Sequence, residues 1–147
     1  MDNKYDALKL SNQLCFPLYA CAREVIKRYR PFLDELGLTY TQYIAMMVLW
    51  ETPCVSSRQL GRRLFLDSGT LTPLLKKLEK KNLITRSRSK EDERVLFVTL
   101  TDEGQALKDD ALAVPEGMKC NSVLTREEAA ELYRILYKLL KNGETPK

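Results

Sequence analysis

The sequence predicts a mainly α-helical fold with one small β-hairpin, and three observations carry that prediction. Apolar residues recur at helical spacing through most of the 147 residues, as in Leu71, Leu74, Leu75 and Leu78 at i, i+3, i+4 and i+7. The period switches once, in the β-rich stretches 84–89 and 95–100. Between those stretches Lys90-Glu-Asp-Glu-Arg94 has the polarity of a hairpin tip. Hydrophobic residues at 44% and charged residues at 30% make a globular balance. The length suits a single domain over residues 1–147.

Along the chain, residues 8–29 carry Leu14, Leu18, Ala22, Val25 and Tyr29 on one side of a helix. Pro31 is expected to end it, because a residue before proline is driven out of the α region. Pro17 conflicts with this helix, which either kinks near Gln13 or begins its regular part close to Cys15. A short helix over 32–36 ends at Gly37. Thr41 caps a helix over 42–51, and Pro53 stops it. Ser56 or Ser57 opens a short helix over 58–64, and Asp67 or Ser68 opens another through residue 81. In that second helix Thr70, Thr72, Pro73, Lys76 and Lys80 lie off the leucine stripe. Thr101 caps a helix over 102–113, with acids in its first turn. Pro115 and Gly117 then interrupt. Thr125 with Glu128 forms a capping box for a last helix to residue 140.

The formal net charge is +4. Arg58 to Arg94 holds eleven Lys or Arg against five Asp or Glu, while the rest of the chain is slightly acidic. A basic block confined to one stretch is the footprint of a nucleic-acid-binding surface. A solvated, lysine-rich helix face gives the same count. Mean hydropathy is −0.33, and no apolar run approaches the ~20 residues of a membrane span, so no membrane partner is expected. The N-terminal MDNKYDALKL has no apolar targeting core, which points to the cytoplasm. The chain has no histidine. That excludes Ser-His-Asp and Cys-His catalysis and His-ligated metal sites, and neither metal nor cofactor is expected. The four cysteines, Cys15, Cys21, Cys54 and Cys120, form no C-x-x-C pair. In a reducing compartment each is a free thiol, either a small buried hydrophobe or a reactive thiolate.

Two short helices followed by a basic ribbon, over residues 42–100, have the layout of a winged helix-turn-helix. The second helix fits a major groove. Its N-terminus at Ser68-Gly-Thr70 offers backbone N–H groups to phosphate, and Arg94 at the ribbon tip reaches the adjoining minor groove. Thr70, Thr72 and Lys76 are candidate base contacts, and Lys76 and Lys77 candidate phosphate contacts. Ser68, Pro73, Arg86, Arg88 and Asp92 complete the candidate DNA face. The helices within 8–36 and 102–141 are too apolar to stand alone and read as a dimerisation layer. The expected partner is therefore a palindromic double-stranded operator read by a homodimer, its recognition helices about 34 Å apart.

Leu66-Asp-Ser-Gly-Thr-Leu-Thr-Pro-Leu-Leu75, Leu83-Ile-Thr-Arg86, Asp92-Glu-Arg94 and Leu100-Thr-Asp-Glu-Gly104 resemble the MarR family of transcriptional regulators, over nearly the whole chain. Asn12-Gln-Leu-Cys-Phe16, then Tyr19, Tyr29 and Leu38-Thr-Tyr40, are similar to its OhrR branch, repressors that sense organic hydroperoxides. The resemblance implies that Cys15 is the peroxidatic thiol and that Tyr29 and Tyr40 hydrogen-bond to it, with Tyr19 part of the same pattern. It implies that Asp67 is an acid near the link to the DNA-binding helix. Pro17 departs from the branch pattern.

A sensing thiol has to ionise, and a free thiol has a pKa of about 8.5. Without histidine, the means left to favour the thiolate are tyrosine O–H donors, nearby Arg or Lys, and a helix N-terminus. Oxidation first yields a sulfenic acid. In a straight helix Cys21 lies about 9 Å along and about 240° around from Cys15, too far for a disulfide. Resemblance to two-cysteine members implies pairing of Cys15 with Cys120 of the partner subunit; capping by a small thiol is the alternative. The function so implied is a dimeric repressor that leaves its operator when an organic hydroperoxide oxidises Cys15. The main rival is a MarR-type regulator released by a small aromatic ligand, with Cys15 structural. A purely structural dimer and a one-cysteine thiol peroxidase are the others. An enzyme is not expected, since no dyad accompanies Cys15.

Overall fold

The computed structural model describes residues 3–119 and 123–142. Two 3-10 turns, Asp6–Leu8 and Leu10–Asn12, lead into the first α-helix, α1, Cys15–Leu36. The turns are tied back by Asn12 Nδ2 donating to the Asp6 carbonyl at 2.8 Å. The regular helix starts at Cys15 because Pro17 is then its third residue, where no intrahelical N–H partner is needed.

The expectation of a helix over 8–29 closed by Pro31, with a separate helix over 32–36, is corrected. α1 runs through Pro31 to Leu36. Proline costs one helix hydrogen bond there, but packing beyond it overrides the local preference. Leu33 is buried, and the ring of Phe32 lies against Gly117. Gly37, at φ 66°, ends the helix with its N–H on the Asp34 carbonyl, and Leu38 N–H reaches the Leu33 carbonyl at 3.0 Å.

Helix α2, Tyr40–Glu51, is capped by Thr39 rather than Thr41. Thr39 Oγ1 accepts from the Gln42 N–H, and Gln42 Oε1 accepts from the Thr39 N–H, a reciprocal box that only this register allows. α2 is the central element, burying Tyr43, Ala45, Met46, Val48 and Leu49. Strand β1, Cys54–Ser56, follows where a loop was expected. Helix α3, Ser57–Leu64, is capped by Ser56, and α4, Ser68–Lys80, by Asp67. Strands β2, Ile84–Arg88, and β3, Leu96–Leu100, form the hairpin. The hairpin is not alone, because β1 adds to its free edge: the sheet is antiparallel, ordered β1-β3-β2, with Val55 opposite Val98 and Arg86 opposite Val98. A three-residue strand carries too little alternation to show in the sequence.

Thr101 caps α5, which covers Asp102–Asp110 instead of 102–113. Pro115 and Gly117 do not interrupt; they lie inside α6, Ala113–Lys119. Pro115 is its third residue, so its missing N–H costs nothing. A Cβ on Gly117 would sit 2.2 Å from Phe32 Cε1, so the glycine is what lets α6 meet α1. The Thr125–Glu128 capping box forms as expected at the start of α7, Arg126–Asn142. Helices α3 and α4 with the three strands make a winged helix-turn-helix on the α2 core. Among the described residues no helix is long and apolar enough to cross a membrane.

Candidate functional site

α4 buries Leu71, Leu74, Leu75 and Leu78 and exposes Ser68, Thr70, Thr72, Pro73, Lys76 and Lys77. The exposed set was read from the sequence, and the helix brings it onto one polar surface. Pro73 lies mid-helix and cannot donate to the Gly69 carbonyl. Asp67 Oδ1 accepts the Thr70 N–H at 2.9 Å. Hydrogen bonding from Thr70 holds this carboxyl below the usual carboxylate range. An acid with a lowered folded value stabilises fully above the ordinary range and loses that contribution as pH falls through the lowered value. Asp67→Ala is therefore expected to lower the melting temperature at pH 7, with the gap to wild type closing in acid. Thermal melts of both proteins from pH 7 to pH 2 would check this, and a constant gap would refute it.

The wing places its four candidates differently. Arg94 is 93% exposed at its side chain, with Asp92 Oδ1 accepting its backbone N–H at 3.0 Å and its Nε at 3.3 Å. Asp92 thus orients the arginine. Arg88 Nη1 donates to the Glu93 carbonyl and braces the tip. Arg86 is engaged in a two-pronged pair with Glu79 Oε2, at 2.8 and 3.1 Å, and ties the wing to α4. That guanidinium holds the Glu79 carboxyl below its ordinary value, and the pair makes Arg86 a brace more than a free phosphate contact.

Two positions escaped the sequence reading. Arg58 and Arg62 of α3, with Phe65, Ser68, Thr72 and Arg86, line a cleft of about 470 Å³ between α3, α4 and the wing. Arg58 also borders a second hollow, with Ser56 and Arg94. Both arginines lay inside the basic block; only folding showed that they face the same side as α4.

Cys15 is exposed at the first position of α1, so the structure puts it at a helix N-terminus. Tyr19 is one turn on, with Arg23 Nη1 reaching its hydroxyl at 3.5 Å. Tyr29 is elsewhere. It lies fourteen residues further along the same helix, about 21 Å at 1.5 Å per residue. Its ring packs edge-on against Tyr40 with centroids 5.0 Å apart. Tyr43 and Trp50 extend the cluster. Burial, and then the neighbouring Tyr29, push Tyr40 and Tyr43 above the ordinary phenol value, which keeps both hydroxyls as donors. Within one chain, therefore, the expected Cys15–tyrosine contact does not form. Cys21 and Cys54 are free and exposed, and Cys120 lies outside the described residues. Exposed apolar side chains line both terminal helices: Phe16, Val25 and Ile26 on α1, and Leu132, Ile135 and Leu139 on α7.

The family model described as Transcriptional regulator SarA/Rot matches residues 27–111. The organic hydroperoxide resistance transcriptional regulator of Bacillus subtilis (strain 168) is 48% identical over 141 residues, covering 96% of both chains. SarZ of Staphylococcus epidermidis, an HTH-type transcriptional regulator, is 43% identical over 132 residues, covering 90% of this chain and 86% of SarZ. Reduced AbfR bound to DNA superposes with a TM-score of 0.76 at 36% identity, covering 95% of this chain and 98% of that one. The disulfide form of AbfR superposes less closely, with a TM-score of 0.64 over 93% of this chain and 96% of that one. These relatives are regulators, which sets the peroxidase reading aside. With its wing, its capped recognition helix and the cysteine that opens α1, the chain belongs to the MarR family of transcriptional regulators, in the branch of the organic hydroperoxide resistance regulators and SarZ.

Proposed function

We propose that this protein is a homodimeric, DNA-binding repressor that senses organic hydroperoxides through Cys15. The observation that carries the reading is the division of the thiol site along α1. Cys15 stands exposed at one end, and Tyr29 and Tyr40 stack together about 21 Å away. A second copy packed antiparallel on the exposed apolar face of α1 brings each Cys15 to the other subunit's tyrosines. The same packing covers the apolar side of α7, in which Leu136 alone among the described side chains is not exposed. The site is thus complete only in a dimer, and a change at the sulfur is at once a change at the subunit interface.

The chemistry is a two-electron oxidation. The Cys15 thiolate attacks the outer oxygen of the hydroperoxide, the O–O bond breaks, and the alkoxide leaves and takes a proton to become the alcohol. Sulfur is left as sulfenic acid. A helix N-terminus attracts negative charge, and α1 presents its own at Cys15. The sulfenic acid then condenses with a second thiol and releases water. We assign that thiol to Cys120 of the partner subunit; non-reducing gels of oxidised protein are expected to show a covalent dimer that Cys120→Ser abolishes. A dimer band that persists in Cys120→Ser overturns the pairing and leaves Cys15 to a small thiol.

On DNA, the exposed side of α4 enters the major groove and Arg94 the minor groove, with Arg58 and Arg62 against the phosphates. The test is fluorescence anisotropy with the DNA upstream of its own gene. The reduced protein is expected to bind with strong salt dependence, to be released by stoichiometric cumene hydroperoxide, and to rebind after a dithiol. Binding that ignores the hydroperoxide would overturn the redox reading and favour release by a small aromatic ligand.

A further inference from the structure

Lys81 follows the last residue of α4 and belongs to the basic run that the sequence assigns to the DNA face. Its ammonium is directed elsewhere. It donates to the carbonyl of Gly37 and, at 3.1 Å, to Oε1 of Gln42. Gly37 is the left-handed residue that ends α1, and Gln42 sits in the first turn of α2, two residues after Tyr40. Gln42 is only 3% exposed, and its Oε1 also accepts the Thr39 N–H at 3.1 Å. One cation at the end of the recognition helix is therefore held by two acceptors on the turn that carries Tyr40.

We propose that Lys81 is the positioning residue that couples the thiol site to the recognition helix. The inference rests on the redox reading above and adds the route by which it acts. Any displacement of Tyr40 moves the first turn of α2, because the capping box makes Thr39, Tyr40 and Gln42 one rigid unit. Helices α2 and α4 also pack against each other, and apolar packing is non-directional and lets helices slide. The charged hydrogen bonds of Lys81 are directional and stronger than neutral ones. They convert a shift of the turn into a shift of α4 and so into a change in the spacing of the two recognition helices.

The experiment compares operator dissociation constants for wild type, Lys81→Met, Lys81→Gln and Lys81→Arg, each reduced and after stoichiometric cumene hydroperoxide. The readout is the ratio of oxidised to reduced constants. Lys81→Met is expected to lower that ratio roughly three- to tenfold, with the reduced protein keeping its circular dichroism. Lys81→Arg, which restores charged donors, is expected to keep the wild-type ratio. Should Lys81→Met not fold, Lys81→Gln provides the same comparison with the polar stem retained. A residue that merely supports the fold would weaken both redox forms alike. An unchanged ratio, with or without a uniform loss of affinity, therefore overturns the coupling while leaving the redox reading intact. A wild-type protein that ignores the hydroperoxide overturns both, and that failure shows without any variant.

Discussion

Cys15→Ser is expected to abolish release by hydroperoxide while leaving reduced operator affinity within about twofold of wild type, because the exchange of sulfur for oxygen is nearly isosteric. Wild type, once oxidised, is expected to lose about 5- to 150-fold in affinity, the span of ordinary allosteric coupling. Serine keeps the size and the hydrogen-bonding capacity of cysteine but cannot be oxidised by a hydroperoxide. The contrast isolates the sulfur from the shape of the site. Anisotropy titrations of both proteins, with and without one equivalent of cumene hydroperoxide per subunit, decide it. Release of Cys15→Ser by the oxidant would move the sensing function to another group, with Cys21 and Cys54 as the exposed thiols to examine. The same pair of titrations on Tyr29→Phe and Tyr40→Phe would show how far the two phenols set the sensitivity, because each variant loses only the O–H donor proposed to serve the thiolate.

Gly104→Ala is expected to be the most damaging Gly→Ala change among the described residues, at about 3 kcal/mol and a melting temperature lower by roughly 6–12 °C. A Cβ there would lie 2.2 Å from the Leu83 carbonyl oxygen and 2.7 Å from Leu100 Cδ1. The nearer obstacle is backbone and cannot turn aside, although the Leu100 side chain can. The carbonyl of Gly104 also accepts Trp50 Nε1 at 2.9 Å, so any retreat of α5 breaks the link to α2 as well. Gly117→Ala is the control. Its Cβ meets Phe32 at the same 2.2 Å, but the obstacle is a half-buried ring that can tilt. The expected cost is correspondingly smaller, about 1–2 kcal/mol. Thermal melts of the two variants beside wild type check the order. Equal losses would mean that α5 moves as freely as the Phe32 ring.

The leucine stripe of α4 and the exposed threonines and lysines opposite it were legible because a helix makes both faces a matter of spacing. The caps at Thr101 and Thr125, and those at Ser56 and Asp67 as one of two adjacent candidates each, were legible for a related reason: a cap joins groups three residues apart. Thr39 was missed in favour of Thr41, since both are good caps and only Gln42 distinguishes the registers. Arg86 read as a DNA contact by its charge, whereas its actual partner, Glu79, lies across from it only after β2 folds back on α4. Arg58 and Arg62 were visible as charge but not as part of a surface.

By itself, then, the sequence determined the helical stripes, the caps, the basic block, the hairpin and the motif pattern around Cys15, because each depends on residues near one another in the chain. Tertiary structure alone decided what depends on distant partners. It carried α1 through Pro31, by seating Leu33 in the core and Phe32 on Gly117. It recruited Cys54–Ser56 as a third strand through pairing with β3. It also placed Cys15 and Tyr29 fourteen residues apart on one continuous helix, which separates within a chain the groups that the motif had joined. Local spacing sets which groups a segment can offer; the packing of segments more than forty residues apart sets which of those groups meet.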